Sequence, residues 1–267
     1  LLGLSLAILA LAQPQGKQIP TKAQKIERDL VILLDVSRSM LSEDLKPSRL
    51  ERTKEMLMDL ADSLSGERVA LILFSGRVKI KTPLTQDYYF LKQVIKEADP
   101  SEIYRGGSKI GDAIRAALTI LFFEENLKNR DIILITDGED QETEPLKAAQ
   151  LAAAKGVRIH TIGIGSLEGA EIPTSNGKIS KLNDADLKEI AKITNAVYIP
   201  AEDKQVDLGK LYQDYIQNNN ELGNADKDSI VREELFFWFL APAMILLSLE
   251  PVLVLSFYRK LQISKKN

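Results

Sequence analysis

The chain's strongest potential for chemistry lies in five oxygen-bearing side chains: Asp35, Ser37, Ser39, Ser108 and Asp137. The first three stand at alternate positions directly after an apolar run, and Asp137 follows a second aliphatic run and precedes a glycine. Ser108 follows two glycines, which let the backbone approach a neighbouring group closely. Carboxylate and hydroxyl oxygens are the ligands that Mg²⁺ prefers. These residue types therefore predict a metal site, with Mg²⁺ as the expected ion and Mn²⁺ or Ca²⁺ as substitutes.

The same residues also have other interpretations. Ser37 and Ser39 could cap the following loop and helix, and Asp137 could stabilise a glycine turn. A catalytic alternative is a Mg²⁺-dependent phosphohydrolase that uses Asp35 as its nucleophile. The pattern disfavours catalysis, because Ser37 replaces the second acidic group expected two residues after such a nucleophile, and the motif has no histidine or lysine to act as an acid. Together the residues favour a metal site in a protein that is not an enzyme.

The elements that must position these residues alternate between buried strands and amphipathic helices. Strands are predicted at residues 29–35, 68–74, 77–82, 130–137, 157–163 and 196–199. Helices are predicted at residues 47–64, 87–98, 110–123, 144–155, 184–194 and 206–220, the fifth with Asp184 as an Asx cap. Runs rich in Val, Ile and Leu are typical of parallel strands buried on both faces.

This order predicts an α/β fold with a doubly wound, mostly parallel sheet and one antiparallel edge strand at residues 77–82. A small β excursion is expected within residues 165–183, where Asn176 and Gly177 form a turn signal. In sheets of this kind ligands bind outside the carboxyl ends of the strands, where successive crossovers go to opposite sides. The predicted metal ligands all follow strand ends or lie on loops at that edge.

Composition excludes several classes of function for the 267 residues. The absence of cysteine rules out disulfides, thiolate zinc sites and cysteine nucleophiles. With 35 basic and 38 acidic residues the formal net charge is -3, so nucleic acid is not an expected partner. The single histidine, His160, is predicted to be a satisfied sheet histidine. A solvated acidic rim, or a surface selecting a basic partner, is predicted from four residues: Glu139, Asp140, Glu142 and Glu144.

Apolar segments at both ends predict attachment to membrane lipid. Residues 1–12 are interpreted as the end of an N-terminal transmembrane helix, with a signal-peptide core as the alternative. Residues 235–258 would span about 36 Å as a helix, enough to cross a membrane. Between them we predict a stalk at residues 13–28, a soluble domain at 29–217 and a linker at 218–234.

The last nine residues, 259–267, carry four basic side chains and no acid, which predicts a cytoplasmic tail. The soluble domain would then lie on the opposite side of the membrane. Basic residues in the predicted stalk argue against that orientation: Lys17, Lys22, Lys25 and Arg28.

In this context the metal motif resembles that of the von Willebrand factor A domain family, whose metal-ion-dependent adhesion site is written Asp-x-Ser-x-Ser, then Thr, then Asp. Asp35, Ser37 and Ser39 match the first element and Asp137 matches the last. Ser108 stands where the family usually has Thr, which keeps the hydroxyl but loses the methyl that restricts the rotamer. The resemblance covers the predicted soluble domain. It implies a Rossmann-like fold and a Mg²⁺ ion that docks a carboxylate of a partner protein.

Further segments resemble the Bat (aerotolerance) membrane proteins of the BatA/BatB type: residues 39–54, 82–85, 136–140, and the Leu240-Ala-Pro-Ala segment with Glu250. This resemblance implies anchors in the bacterial inner membrane at both ends of the chain, hence a multi-pass protein with a periplasmic domain. It also implies other Bat-type subunits and a MoxR-type AAA+ ATPase as partners. The expected role is stress tolerance or the maturation of envelope proteins.

Overall fold

The structure, a computed structural model, describes residues 2–20, 28–103, 106–122, 129–140, 143–173, 175, 177–201, 206–217 and 230–264. The chain forms two compact units. One is Lys25–Asn224, and the other, the terminal unit, consists of Leu1–Gln24 together with Ala225–Asn267.

The secondary structure is mixed, with strands and helices alternating along most of the chain. In chain order the strands are β1 (Gln15–Pro20), β2 (Arg28–Asp35), β3 (Arg68–Phe74), β4 (Val78–Thr85), β5 (Asn129–Thr136), β6 (Arg158–Ile164), β7 (Ala170–Glu171), β8 (Ile179–Ser180), β9 (Tyr198–Ala201) and β10 (Ile230–Glu234). The helices are α1 (Leu2–Leu11), α2 (Arg49–Ser63), α3 (Tyr88–Glu97), α4 (Ile110–Leu121), α5 (Pro145–Ala154), α6 (Ala185–Ile193), α7 (Leu208–Leu211) and α8 (Phe236–Ser264). Shorter helical turns lie at Arg38–Leu41, Pro100–Glu102 and Tyr212–Gln217.

The central sheet has the strand order β4-β3-β2-β5-β6-β9, and every neighbouring pair is parallel except β3 with β4. The predicted α/β fold with a mostly parallel sheet and one antiparallel edge strand is therefore confirmed. The edge strand is longer than predicted, because its pairing with β3 continues past two register shifts to Thr85.

Both faces of this sheet are covered by helices, which explains the unbroken apolar runs of its strands. Leu30, Ile32 and Leu34 of β2 pack on one face, beneath α2, α3 and α7. Val31 and Leu33 pack on the other face, beneath α4, α5 and α6. All five of these side chains are fully buried. The alternation along one strand thus builds two cores and fixes the register of the sheet.

The chain reverses its direction across the sheet between β2 and β5. It runs outward from β2 to β3 and β4, and then returns to β5 on the other side of β2. Such a switch leaves a crevice outside the carboxyl ends of the two central strands. The loops after Asp35 and after Thr136 lie at that crevice.

Helix α6 begins at the predicted position, but its N-terminus is not capped in the predicted way. Asp184 stands at its N-cap position, yet its side chain accepts no hydrogen bond from the helix N-terminus. Instead the carboxylate accepts from the Tyr198 hydroxyl at 3.3 Å and pairs with the Lys188 ammonium at 2.7 Å. The predicted Asx cap is therefore wrong, because a hydroxyl and an ammonium compete for the same oxygens.

The small β excursion predicted within residues 165–183 is present as the antiparallel pair β7 and β8. Gly177 has the positive φ of +80° that its turn needs, whereas Asn176 lies outside the described residues. The last predicted helix begins at Leu208 rather than Val206 and passes from α7 into the π-helical turn Tyr212–Gln217, whereas residues 218–220 lie outside the described residues.

The terminal unit contains two apolar helices and a two-stranded ribbon. Helix α1 packs along α8, and β1 pairs antiparallel with β10. The ribbon falls in segments where the sequence predicts only a stalk and a linker. Among the described residues, no helix combines the length and the hydropathy required to cross a membrane. The membrane helices at residues 1–12 and 235–258, and the domain boundaries drawn from them, stay predictions.

Candidate metal centre

Asp35 is the last residue of β2, and hydrogen-bond donors surround its carboxylate. Oδ1 accepts from the backbone N–H of Ser37 at 2.8 Å. Oδ2 accepts from the hydroxyls of Thr136 at 2.6 Å and Ser108 at 3.1 Å. The side chain is fully buried. Asp35 therefore joins the loop after β2, the loop before α4 and the end of β5.

Ser37 and Ser39 lie where the chain enters the 3₁₀ turn Arg38–Leu41. Two backbone hydrogen bonds shape this turn, from Met40 N–H to the Ser37 carbonyl and from Ser42 N–H to the Ser39 carbonyl, both at 3.1 Å. The two serine side chains are buried, and their hydroxyl oxygens lie 2.9 Å apart. The alternate spacing in the sequence thus becomes a pair of hydroxyls next to Asp35.

The loop that carries Ser108 is tied on both sides. Before Ser108, the carbonyl of Gly107 accepts from the Ser75 hydroxyl at 2.8 Å, and Gly107 has a φ of +101°. After Ser108, the first N–H of α4, that of Ile110, donates to Asp140 Oδ1 at 2.9 Å. These contacts come from the segments that follow β3 and β5, so the loop is held at the carboxyl edge of the sheet.

Asp137 follows β5 directly, and the glycine after it is required for steric reasons. Gly138 has a φ of +81°, and a Cβ there would lie 1.9 Å from the carbonyl oxygen of Asn183. The Asn183 N–H also donates to the Asp137 carbonyl at 2.8 Å. Asp137 Oδ1 accepts from the Glu139 N–H at 3.2 Å. The Asp-Gly pair therefore fixes the carboxylate against the loop before α6.

Burial dominates the electrostatics of the two aspartates. Loss of hydration, and after it the negative charge of Asp137, together raise the pKa of Asp35 to about 7 against the lowering effect of hydrogen bonds from Thr136 and Ser37. Burial likewise raises the pKa of Asp137, opposed by hydrogen bonding from Ser39. A cation bound between these two buried carboxylates would stabilise their ionised forms.

The donor set fits a hard divalent cation. Asp35 and Asp137 are buried carboxylates, and Ser37, Ser39 and Ser108 bring hydroxyls to the same crevice. In the part of the chain that the structure describes, no group of three or more Asp, Glu, His or Cys side chains could hold a metal. A metal in this crevice would therefore need the serine hydroxyls, which are oxygen ligands of the type that Mg²⁺ accepts.

Arg49, which the sequence interpretation overlooked, carries a positive charge into this centre. It lies at the start of α2 and is fully buried. Its Nη1 donates to Asp137 Oδ2 at 3.2 Å and to the Ser180 hydroxyl at 2.9 Å. Its Nε and Nη2 donate to the two oxygens of Asp44 at 2.8 Å and 2.7 Å. A signal was present, since Arg49 shares its helix face with Thr53 and Leu57, which are also buried.

The acidic residues after Asp137 do not form one solvated rim. Asp140 accepts from the N–H groups of Ile110 and Thr143, both at 2.9 Å, and from the Thr143 hydroxyl. The prediction is therefore wrong for Asp140, which is used to join two loops. Glu139 accepts from Ser180 at 3.1 Å, and Glu144 is exposed and pairs with Lys147. Glu142 lies outside the described residues.

His160 is a buried residue of β6, as predicted, and it is not among the residues of the candidate metal centre. The prediction of a satisfied histidine is wrong for one ring nitrogen, because Nε2 has no hydrogen-bond partner among the described residues. Its Nδ1 accepts from the Val197 N–H at 3.4 Å, and its Nε2 lies 4.0 Å from Asp131 Oδ1. Burial lowers the pKa of His160 to about 3, and the positive charge of Arg158 adds to that effect. The imidazole is therefore neutral at physiological pH.

Comparisons with known proteins agree with this geometry. Residues 29–214 match the family model of the von Willebrand factor type A domain. An uncharacterized protein of Borreliella burgdorferi is 28% identical over 251 residues, which cover 90% of this chain and 72% of that protein.

Two solved structures resemble the chain more strongly. BatB from Bacteroides thetaiotaomicron is 33% identical with a TM-score of 0.68, and the match covers 73% of this chain and 99% of that one. An aerotolerance-related membrane protein from Bacteroides fragilis is 33% identical with a TM-score of 0.66, covering 72% of this chain and 99% of that one. The chain belongs to the von Willebrand factor type A domain family, among its Bat, or aerotolerance-related, members.

Proposed function

We propose that the chain is a membrane-anchored docking module that binds Mg²⁺ at its metal-ion-dependent adhesion site and recruits partner proteins through it. The observation that carries the proposal is the meeting of two buried carboxylates with three serine hydroxyls at the switch point of the sheet. Mn²⁺ or Ca²⁺ would substitute because they take the same oxygen ligands.

Asp35, Ser37, Ser39, Ser108 and Asp137 would hold the ion. The hydroxyls are neutral donors, while Asp35 orients two of the loops through its bonds to Ser37 and Ser108. When bound, a divalent ion with few charged ligands offers a coordination position to a carboxylate of a partner protein. Neutral ligands suit that role, since they leave the ion with positive charge for an incoming acid.

The phosphohydrolase alternative receives no support from the position of Asp35. A nucleophilic carboxylate needs a free oxygen directed at substrate. Both oxygens of Asp35 accept hydrogen bonds, from Ser37 on one side and from Ser108 and Thr136 on the other, and the side chain is fully buried. These contacts favour a residue that organises loops, and we infer a non-enzymatic module.

The cellular setting follows from similarity to the aerotolerance-related membrane protein. We infer a multi-pass protein of the bacterial inner membrane with its domain in the periplasm. Other Bat-type subunits and a MoxR-type AAA+ ATPase are the proposed partners, with a role in stress tolerance or envelope protein maturation. Apolar residues at both chain ends, which enclose the α/β unit in the sequence, support an anchored arrangement.

Calorimetric titration of the full chain in detergent with MgCl₂ tests the metal site. We expect saturable binding of one ion, which Asp35→Ala abolishes. Glu144→Gln serves as the matched control, because Glu144 is exposed and lies outside the centre. Binding that survives Asp35→Ala, or no binding to the wild type, would contradict the proposal.

Copurification from bacterial membranes tests the docking role. Partner proteins should be retained with the chain in Mg²⁺ and released by a chelator. The Asp35→Ala chain should retain none of them in either buffer. Partners retained equally under all conditions would show that docking does not use the metal.

A further inference from the structure

Arg49 has no access to solvent although it is always charged. Its guanidinium is divided between two carboxylates. Nε and Nη2 face Asp44, and Nη1 faces Asp137 Oδ2 at 3.2 Å. The hydroxyl and the carbonyl of Ser180 accept the remaining bonds, at 2.9 Å and 3.1 Å. The cation is thus bonded to one of the predicted metal ligands, at the metal centre itself.

The backbone is shaped around this guanidinium. Gly165 has a φ of +124°, and a Cβ there would lie 2.8 Å from Arg49 Cζ. Asp44 is held in turn by the Ser166 N–H at 2.8 Å. The loop after β6, the loop before α2 and strand β8 therefore meet at one arginine. This enclosure indicates that Arg49 has a specific task in the centre.

The charges suggest what the task is. Without a metal, the centre contains the buried carboxylates Asp35 and Asp137, and the nearby Asp44 adds a third. Arg49 is the cation that contacts two of the three. We infer that Arg49 is a resident counter-ion that keeps the metal-free centre folded and lowers its affinity for divalent cations. The inference rests on the proposed Mg²⁺ site and adds what keeps that site exchangeable.

Two opposite effects on Mg²⁺ binding follow from this role. Removing the positive charge of Arg49 should tighten Mg²⁺ binding, because the ion no longer meets a like charge. Removing the negative charge of Asp44 should weaken it, because Arg49 then bears more uncompensated charge toward Asp137. A residue that merely positions Asp137 would act differently, since its loss normally weakens metal binding.

The experiment compares Arg49→Met, Arg49→Lys and Asp44→Asn in the full chain in detergent. Thermal unfolding in chelator and calorimetric titration with MgCl₂ are measured for each. We expect Arg49→Met to unfold roughly 10 °C lower in chelator, yet to bind Mg²⁺ about tenfold more tightly or better. Arg49→Lys retains the charge and should stay nearer to wild-type affinity. The matched control is Arg52→Met on the same helix, where the arginine pairs only with the exposed Glu55 among its described contacts.

Weaker or unchanged Mg²⁺ binding by a folded Arg49→Met chain would overturn the inference. If that chain does not fold, Asp44→Asn decides, because unchanged or tighter Mg²⁺ binding by it would also overturn the inference. Should the wild type bind no Mg²⁺, the proposed function fails, and the counter-ion role is then judged in chelator. In chains that carry Asp137→Asn, Arg49→Met should lower the unfolding temperature by less than half of its effect in the otherwise wild-type chain. An equal effect in both chains would refute the counter-ion role.

Discussion

Replacing Asp35 by asparagine should stabilise the metal-free protein while it abolishes metal binding. Asp35 is fully buried, and in the metal-free protein the negative charge of Asp137 would repel its own. Asparagine has nearly the same shape but no charge, so it removes both the desolvation cost and the repulsion. A residue retained for folding alone would show the reverse, because its loss would destabilise the protein.

The magnitude follows from the pKa of Asp35. A rise from 3.8 to about 7 corresponds to about 4 kcal/mol of lost stability above pH 7. The folded state binds the proton more tightly than the unfolded state, so wild-type stability falls as the pH rises from 3.8 to about 7 and then stays level. Asparagine keeps one acceptor oxygen and leaves a donor unpaired, which costs about 1–3 kcal/mol. The net gain is about 2 kcal/mol at pH 8, or roughly 5 °C.

The assay is thermal unfolding of both chains at pH 8, first in chelator and then in excess MgCl₂. We expect Asp35→Asn to unfold at the higher temperature in chelator. Mg²⁺ at 100 times its dissociation constant should add about 2.7 kcal/mol to the wild type alone, which reverses the order. Asp62→Asn, at an exposed carboxylate, is the control. An Asp35→Asn chain less stable than the wild type in chelator would refute this account of the buried charge.

Three further changes test the surroundings of the site. In urea titrations, Gly138→Ala should lower the free energy of unfolding by more than about 3 kcal/mol, and it should also lower Mg²⁺ affinity, because its Cβ would meet the Asn183 carbonyl at 1.9 Å. The control Gly156→Ala, at a φ of +72° with open space around it, should lower the free energy of unfolding by only about 1 kcal/mol. Ser75→Ala removes the donor to the Gly107 carbonyl and should lower Mg²⁺ affinity about tenfold by calorimetry. Unchanged affinity would show that the loop does not need this hydrogen bond. The pKa of His160 falls from 6.5 in the unfolded chain to about 3 in the folded chain, so this residue alone should make the wild type about 2 kcal/mol less stable at pH 5 than at pH 8. In urea titrations with chelator, His160→Gln should not show this part of the pH dependence.

Much of the fold was predictable because burial on both faces of a parallel sheet leaves a direct mark on the sequence. The apolar runs that end at Asp35 and Asp137 marked the two central strands, and the order of strands and helices predicted where their carboxyl ends would meet. The convergence of the five oxygen donors followed from that order. Strand ends were less certain, as β4 shows by extending to Thr85.

What could not be predicted depends on contacts between residues far apart in the chain. The helix face of Arg49 could have marked it as buried, but only the fold brings Asp137 and Ser180 to its guanidinium. Asp140 looked like one acid among several until the N-terminus of α4 was placed beside it. The ribbon of β1 and β10 joins segments that are separated by about two hundred residues and lack apolar alternation.

Among the described residues, buried carboxylates at the two ends of the sheet have different amounts of positive charge around them, and the difference supports the carboxyl end as the proposed metal site. At the amino end, Asp131 is buried against arginines, with Arg158 Nη2 at 2.7 Å and Arg28 Nε at 3.7 Å. Its charge is balanced within the protein. At the carboxyl end, Asp35 and Asp137 share the region with one described guanidinium, that of Arg49, which Asp44 also holds. Negative charge there exceeds positive charge, and because both carboxylates are buried, water cannot offset the excess. The carboxyl end is therefore where a dication gains most from binding.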